Sequence, residues 1–240
     1  MPEDERPPAP DHLRILAEGE IEVVGRLPWS SNGTFLVTCV QEGVELPAVY
    51  KPLRGERPLW DFPPGIYRRE VAAWVLSEAL GWGLVPATVE REDCPLGVGS
   101  LQRFVPADFS EHYFTLVEDT GTHEAFRTLC AFDVVANNTD RKSGHCLLGE
   151  DGSIWAIDHG LCFHEDPKLR TVIWEFAGEP LGDGLCRDLA RLAARPPDAF
   201  DGLLSPAEIR ALARRADRLA ADGSLPAPGD DRHHYPWPLV

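Results

Sequence analysis

The sequence predicts an α+β fold of two lobes: a small antiparallel sheet carrying one helix, then a mainly helical lobe. Three observations predict it. Strand-like runs separated by turn residues fill the first hundred positions, helix-period runs dominate after Pro106, and the change falls near residues 104–107. A chain of 240 residues with 43% apolar side chains is long enough for one large domain or two small lobes sharing a cleft. Residues 1–12 read as a disordered arm, 13–105 as the sheet lobe and 106–240 as the helical lobe.

Ile21–Gly25 and Thr34–Val40 are the first two strands, with Pro28-Trp29-Ser30-Ser31-Asn32-Gly33 as the turn between them. Gln41–Glu45 is a second turn, and Leu46–Lys51 a third strand closing on a lysine. A proline-rich loop over 54–65 precedes a helix over Tyr67–Leu80. Its Val71, Trp74, Val75 and Ala79 fall on one stripe, and Gly81 stops it. Val85–Val89 and Gly99–Val105 complete a five-stranded sheet. The helical lobe holds Glu124–Ala136, Gly184–Ala194 and Ser205–Ala221, the last opening on the capping box Ser205-Pro206-Ala207-Glu208. Residues 222–240 are a Pro/Gly/Asp-rich tail whose His233-His234 pair reads as solvated.

Composition narrows function by exclusion. A net charge of −16, from 23 basic and 39 acidic side chains, repels nucleic acid and anionic membrane surfaces. No apolar run reaches transmembrane length. The six cysteines form no C-x-x-C pair, so zinc-ribbon and thioredoxin readings lack support. An acidic, proline-rich start without an apolar h-region points to a cytoplasmic chain with reduced thiols.

The chemistry concentrates in two places. Asn137-Asn138-Thr139-Asp140-Arg141-Lys142-Ser143-Gly144-His145 follows a helix and leads into an apolar pair. After the turn Asp151-Gly152-Ser153, the strand Ile154–Ile157 delivers Asp158-His159-Gly160. A hairpin between them can bring Asp140 and Asp158 side by side. Phosphoryl transfer needs that pairing: one acid orients the acceptor hydroxyl, and another holds a divalent cation against the phosphates. Glycine at 160 lets the chain turn close to a ligand.

These residues resemble the catalytic and metal loops of the phosphatidylinositol 3- and 4-kinase superfamily and, more distantly, HipA-type kinases. The order upstream is similar too, over roughly residues 20–165. Within bacteria the chain resembles a compact actinobacterial group of phosphoinositide-kinase-like proteins. The resemblance implies a two-lobed protein-kinase-like fold binding ATP and Mg²⁺, or Mn²⁺. It implies Lys51 as the phosphate-binding lysine, Glu70 as its salt-bridge partner and Ser30-Ser31-Asn32-Gly33 as the phosphate loop. Gln102, Phe104 and Val105 would hold adenine, Asp140 would serve the acceptor, Lys142 the transferring phosphoryl group, and Asp158 with His145 the metal.

Two departures stand out. His145 replaces the family's metal-binding asparagine, and imidazole suits softer metals such as Mn²⁺. The stretch from Leu161 to Glu179 has only Lys168 and Arg170 as cations, against Glu165, Asp166, Glu175 and Glu179. Lipid kinases use a basic segment there, so the acceptor expected here is soluble, a protein hydroxyl or a small metabolite. Each residue also has a plainer reading. Asp140 alone is a turn-capping aspartate, Lys51 a surface lysine, and Ser30–Gly33 a hairpin turn. Glu70 competes with Glu78 as a partner, His145 is ligand or brace, and Arg141 pairs structurally with an acid. His159, His164, Asp158 and Asp166 lack the register of a helical metal-hydrolase site. Three other functions remain open: a nucleotide-binding pseudokinase, an AMP-transferring protein and a nonenzymatic binding domain.

Overall fold

The computed structural model describes residues 11–28, 30, 32–229 and 232–240. Chain order in the first part is α1 (His12–Glu18), β1 (Glu20–Arg26), β2 (Phe35–Gln41), β3 (Val44–Pro52), α2 (Tyr67–Leu80), β4 (Thr88–Arg91) and β5 (Gly99–Arg103). The five strands form one antiparallel sheet in the order β1-β2-β3-β5-β4. Gln41 pairs with Val44 across the turn residues Glu42 and Gly43, which both have positive φ. That is the backbone a two-residue hairpin between twisted strands requires.

The second part contains α3 (Tyr113–Leu116), α4 (His123–Ala136), the hairpin β6 (Cys146–Leu148) and β7 (Ile154–Ala156), α5 (Asp183–Ala194) and α6 (Pro206–Asp222). The capping box at α6 forms as its sequence dictates: Ser205 accepts from the Glu208 amide, and the Glu208 carboxylate accepts from the Ser205 amide. The architecture is the predicted α+β one.

Three expectations need correction. The predicted arm over residues 1–12 falls mostly on undescribed residues, but Asp11 caps a helix that begins at His12. The Asp11 side chain accepts from Arg14 N–H, and Ile15 and Leu16 turn into the sheet's core, which pays for the order. The fourth strand begins at Thr88 rather than Val85, because Leu84 and Val85 instead give their amides to the Ser77 hydroxyl. The His233-His234 pair does not stand free in solvent. His234 gives its carbonyl to the Thr171 amide and to the Trp174 indole, and Leu239 gives its carbonyl to the Ser143 amide.

Helix α2 departs from the one-sided stripe its sequence suggests. Ala72, Ala73, Leu76 and Leu80 are buried along with Val71 and Val75, so little of its circumference faces water. The reason is position: α2 touches β4 and β5 on one side, while its apolar residues join the helical lobe's core with Phe126, Leu129 and Phe132 on the other. It is the element through which the two lobes are joined. All six cysteines are free. Among the described residues, no helix is long and apolar enough to cross a membrane.

Candidate active site

Lys51 ends β3 with its ammonium turned toward α2 and the loop after β7. It donates to Glu70 Oε1 at 2.5 Å and to Asp158 Oδ1 at 2.9 Å. Of the two candidate partners on α2, Glu70 makes the contact. Burial works against the charge on Lys51, yet Asp158 and Glu70 outweigh it and hold the ammonium above its ordinary range. The Glu70 carboxylate is almost fully buried, and its other oxygen accepts from the His159 amide at 2.9 Å. One carboxylate therefore ties the sheet's lysine to the backbone of Asp158-His159-Gly160.

Gly160 has a different physical role from the one expected. The left-handed backbone belongs to Asp158, with φ of 60°. At Gly160, a Cβ would come within 3.3 Å of Glu70 Oε1. The glycine makes room for the carboxylate.

The Asp158 side chain is half exposed, and Lys51 holds its carboxyl well below the usual range. His145 Nε2 lies 3.4 Å from Asp158 Oδ2. Burial drives the His145 imidazole down to about 4, so it stays neutral and able to ligate at physiological pH. Among the described residues, no three His, Cys, Asp or Glu gather into a metal cluster. A two-ligand set of carboxylate and imidazole fits a cation whose remaining positions are filled by water and substrate phosphates.

The catalytic loop is built on a buried brace. Asp133, inside α4, and Arg141 have no exposed side-chain surface, and Arg141 Nη2 donates to Asp133 Oδ1 at 2.9 Å. Asp133 also receives Asn138 Nδ2 at 3.0 Å and Thr171 Oγ1 at 3.2 Å. Asn138 Oδ1 in turn accepts from the Asp140 amide at 3.0 Å. Arg141 continues to the His145 and Ile157 carbonyls and to His159 Nε2. The acid partner expected for Arg141 is thus Asp133. Sequence reasoning missed Asp133, Asn138's bracing role and Thr171. A signal existed for Asp133, since it interrupts the apolar run Leu129–Val135.

Asp140 is partly buried beside Lys142, whose Nζ lies 3.2 Å from Oδ2. Burial raises the Asp140 carboxyl; Lys142 opposes the rise, and Asp158 adds to it. Lys142 thus accompanies Asp140 as Lys51 accompanies Asp158.

The remaining expected residues divide. Asn32 Oδ1 accepts from the Arg57 amide, and the Gly33 amide donates to the Gly55 carbonyl at 2.8 Å. A Cβ on Gly55 would sit 2.6 Å from the Gly33 oxygen, so the loop lies backbone to backbone on the chain just beyond Lys51. Ser30 Oγ bonds Thr34 Oγ1, and Ser31 lies outside the described residues. The Gln102 side chain makes a contact the sequence did not suggest: its amide is buried and donates to Thr88 Oγ1 at 2.9 Å, its cross-strand partner on β4, while its pairing with Val49 keeps it on the same face of the sheet as Lys51. Phe104 is half-buried against Phe109, and Val105 is buried where the sheet passes into the helical lobe.

His145 and His159 make an acid-stability prediction. Both are depressed below the ordinary histidine value, first by burial, so below about pH 6.5 the unfolded chain takes up protons the folded one refuses. Stability is intact above that pH and falls as pH drops toward 5, by about 2 kcal/mol for His145, with His159 acting in the same direction. Melting temperatures at pH 7 and 5 check this. His145→Asn should lose clearly less on acidification than the natural chain; an equal loss would refute the assignment.

A family model described as phosphatidylinositol 3- and 4-kinase matches residues 77–200. That span includes Asp140, His145 and Asp158, while Lys51 and Glu70 precede it. The chain is 40% identical over 266 residues to Protein Rv2133c of Mycobacterium tuberculosis (strain ATCC 25618 / H37Rv), covering 95% of each. Among solved structures, it is similar to the Helicobacter pylori proinflammatory kinase CtkA at 13% identity and a TM-score of 0.43, over 88% of this chain and 94% of that one.

Proposed function

The chain belongs to the phosphatidylinositol 3- and 4-kinase family, and from that premise we propose that it transfers the γ-phosphoryl group of ATP to a hydroxyl on a soluble acceptor, a protein or a small metabolite. The observation carrying this reading is the contact set Glu70–Lys51–Asp158 with Asp140 alongside. It joins a fixed cation, a metal-type carboxylate and a candidate base in one cleft.

Lys51, oriented by Glu70, neutralises the α- and β-phosphates. Asp158 and the neutral His145 are the residues that would hold Mg²⁺ or Mn²⁺. The cation supplies charge neutralisation at the β- and γ-phosphates. Ser30, Asn32 and Gly33 edge the phosphate side, with adenine against Phe104 and Val105. Asp140 accepts or orients the acceptor's proton, and Lys142 faces the charge that develops on the transferring group. A soluble acceptor follows from charge. Of the two cations between Leu161 and Glu179, Lys168 is engaged by Asp61 at 2.7 Å, and the whole chain carries −16. Such a surface repels an anionic bilayer.

A nucleotide-binding pseudokinase is the second reading, favoured by the imidazole at the metal position. AMP transfer is the third. One experiment separates them: ATP turnover with Mg²⁺ or Mn²⁺, read alongside nucleotide-induced thermal stabilisation and the intact mass of the modified acceptor. A kinase adds a phosphoryl mass, an AMP transferase adds AMP, and a pseudokinase is stabilised without turnover. Asp158→Asn should lose the metal-dependent part of the stabilisation. A chain that neither turns over nor is stabilised by ATP sinks all three.

A further inference from the structure

A second cluster of cations lies away from Lys51. On α6, Arg214, Arg215 and Arg218 fall three, four and seven positions after Ala211, on one stripe. With Glu165 and Asp217 they line a cavity of about 440 Å³ against the chain that leaves Asp158-His159-Gly160.

Arg215 is the inner member. Its Nε donates to the Val135 carbonyl at 2.8 Å and its Nη1 to the His164 carbonyl at 3.3 Å. Its Nη2 is buried without a partner. Neither carbonyl carries a full charge, and Glu208, on the same helix, is taken by Arg69. Among the described residues, no ion pair joins Arg214, Arg215 or Arg218 to Glu165 or Asp217. Burial draws the Arg215 guanidinium down to about 10, and the neighbouring Arg214 cation adds to the pull. A desolvated cation with an idle donor, next to a like charge, is costly unless an anion answers it. In a chain of net charge −16, two exposed arginines on the same stripe as this one are not a by-product of a basic composition.

We propose that this cavity is an oxyanion site that takes the phosphate group of a small soluble ligand, with Arg214 and Arg218 at its mouth and Arg215 behind them. Guanidinium forks match phosphate oxygens in pairs, which a single carboxylate would not satisfy across three arginines. The occupant would bridge α6 to residues 164–167. The His164 carbonyl there also receives Asn137 Nδ2, from the residue that ends α4 just ahead of the catalytic loop.

The test titrates inorganic phosphate into the full chain and follows melting temperature at an ionic strength matched with sodium chloride. At tenfold excess over Kd, the expected rise is about 3–6 °C. Arg214→Gln combined with Arg218→Gln, at exposed positions, should remove the rise. Glu165→Gln, which takes a like charge from the rim, should tighten binding by about three- to tenfold. Lys51→Met should keep the rise, which separates this cavity from the nucleotide cleft and makes the test independent of kinase activity. A natural chain that responds no more to phosphate than to chloride overturns the proposal. So does a rise that survives the double substitution but vanishes in Lys51→Met. In a second arm, vesicles containing phosphatidylinositol phosphate replace free phosphate; binding to them alone overturns the soluble-ligand assignment.

Discussion

Asp140→Asn is expected to lower the turnover number of phosphoryl transfer by about 10²–10⁴-fold, the range a positioned base contributes. Nucleotide-induced stabilisation should be unchanged. The substitution is nearly isosteric. Asparagine keeps an oxygen for Lys142, now 3.2 Å from Asp140 Oδ2, and the backbone amide at 140 keeps its bond to Asn138. Only the capacity to take a proton disappears. The pH profile makes the prediction sharper. Burial raises the Asp140 carboxyl, so the acid limb of activity should lie above the ordinary aspartate value, with activity lost as pH falls through it. That limb should vanish in the variant's residual activity. A turnover number within a few-fold of the natural chain's would remove Asp140 from the mechanism.

Asp133→Ala should cost about 3–5 kcal/mol of stability. For a chain of this size that lowers the melting temperature by about 6–20 °C. The loss is not the worth of one ion pair. It is the cost of leaving Arg141, with no exposed surface, charged and unanswered, while Asn138 and Thr171 also lose an acceptor. The signature is recovery on removing the second charge. Asp133→Leu combined with Arg141→Met should regain most of the stability, because two well-packed apolar groups replace a buried pair at little cost. The double variant should still be poorly active, since the loop has lost its brace. A small loss for the single variant would mean that water or a rearranged partner answers Arg141.

The lobe order and the elements that carry Lys51, Glu70, Asp140 and Asp158 were legible because they depend on local features. A strand ending on Lys51, a helix opening near Glu70, and two aspartates flanking a short hairpin are patterns within a few residues. What escaped depends on distant partners. Asp133 and Thr171 meet across 38 residues of chain, and nothing around Thr171 marks it as a donor to a buried carboxylate. Gln102 reads as a ligand residue at the lobe junction, and the register puts it opposite Val49, on the face of Lys51, with its amide spent on its β4 neighbour Thr88. A side-chain bond between neighbouring strands cannot be assigned before that register is known. The His233-His234 pair reads as solvated, yet the carbonyls of His234 and of Leu239 satisfy amides at Thr171 and Ser143. Main-chain pairing of that kind leaves almost no trace in side-chain composition.

Arg141 also decides which parts of the cleft can move. It is bonded at once to α4 through Asp133, to the stretch after Asp140 through His145, and to the residue before Asp158 through Ile157. The two aspartates therefore ride on a single rigid plate, with their spacing set when the helical core packs. The opposite wall has no such plate. Its lysine reaches Asp158 and Glu70 only through side chains. In the proposed kinase, closure on a nucleotide is then expected to fall on the sheet side of the site. Slow exchange measured by relaxation methods should collect on the strands around Lys51 and leave the Asp140 and Asp158 loops quiet.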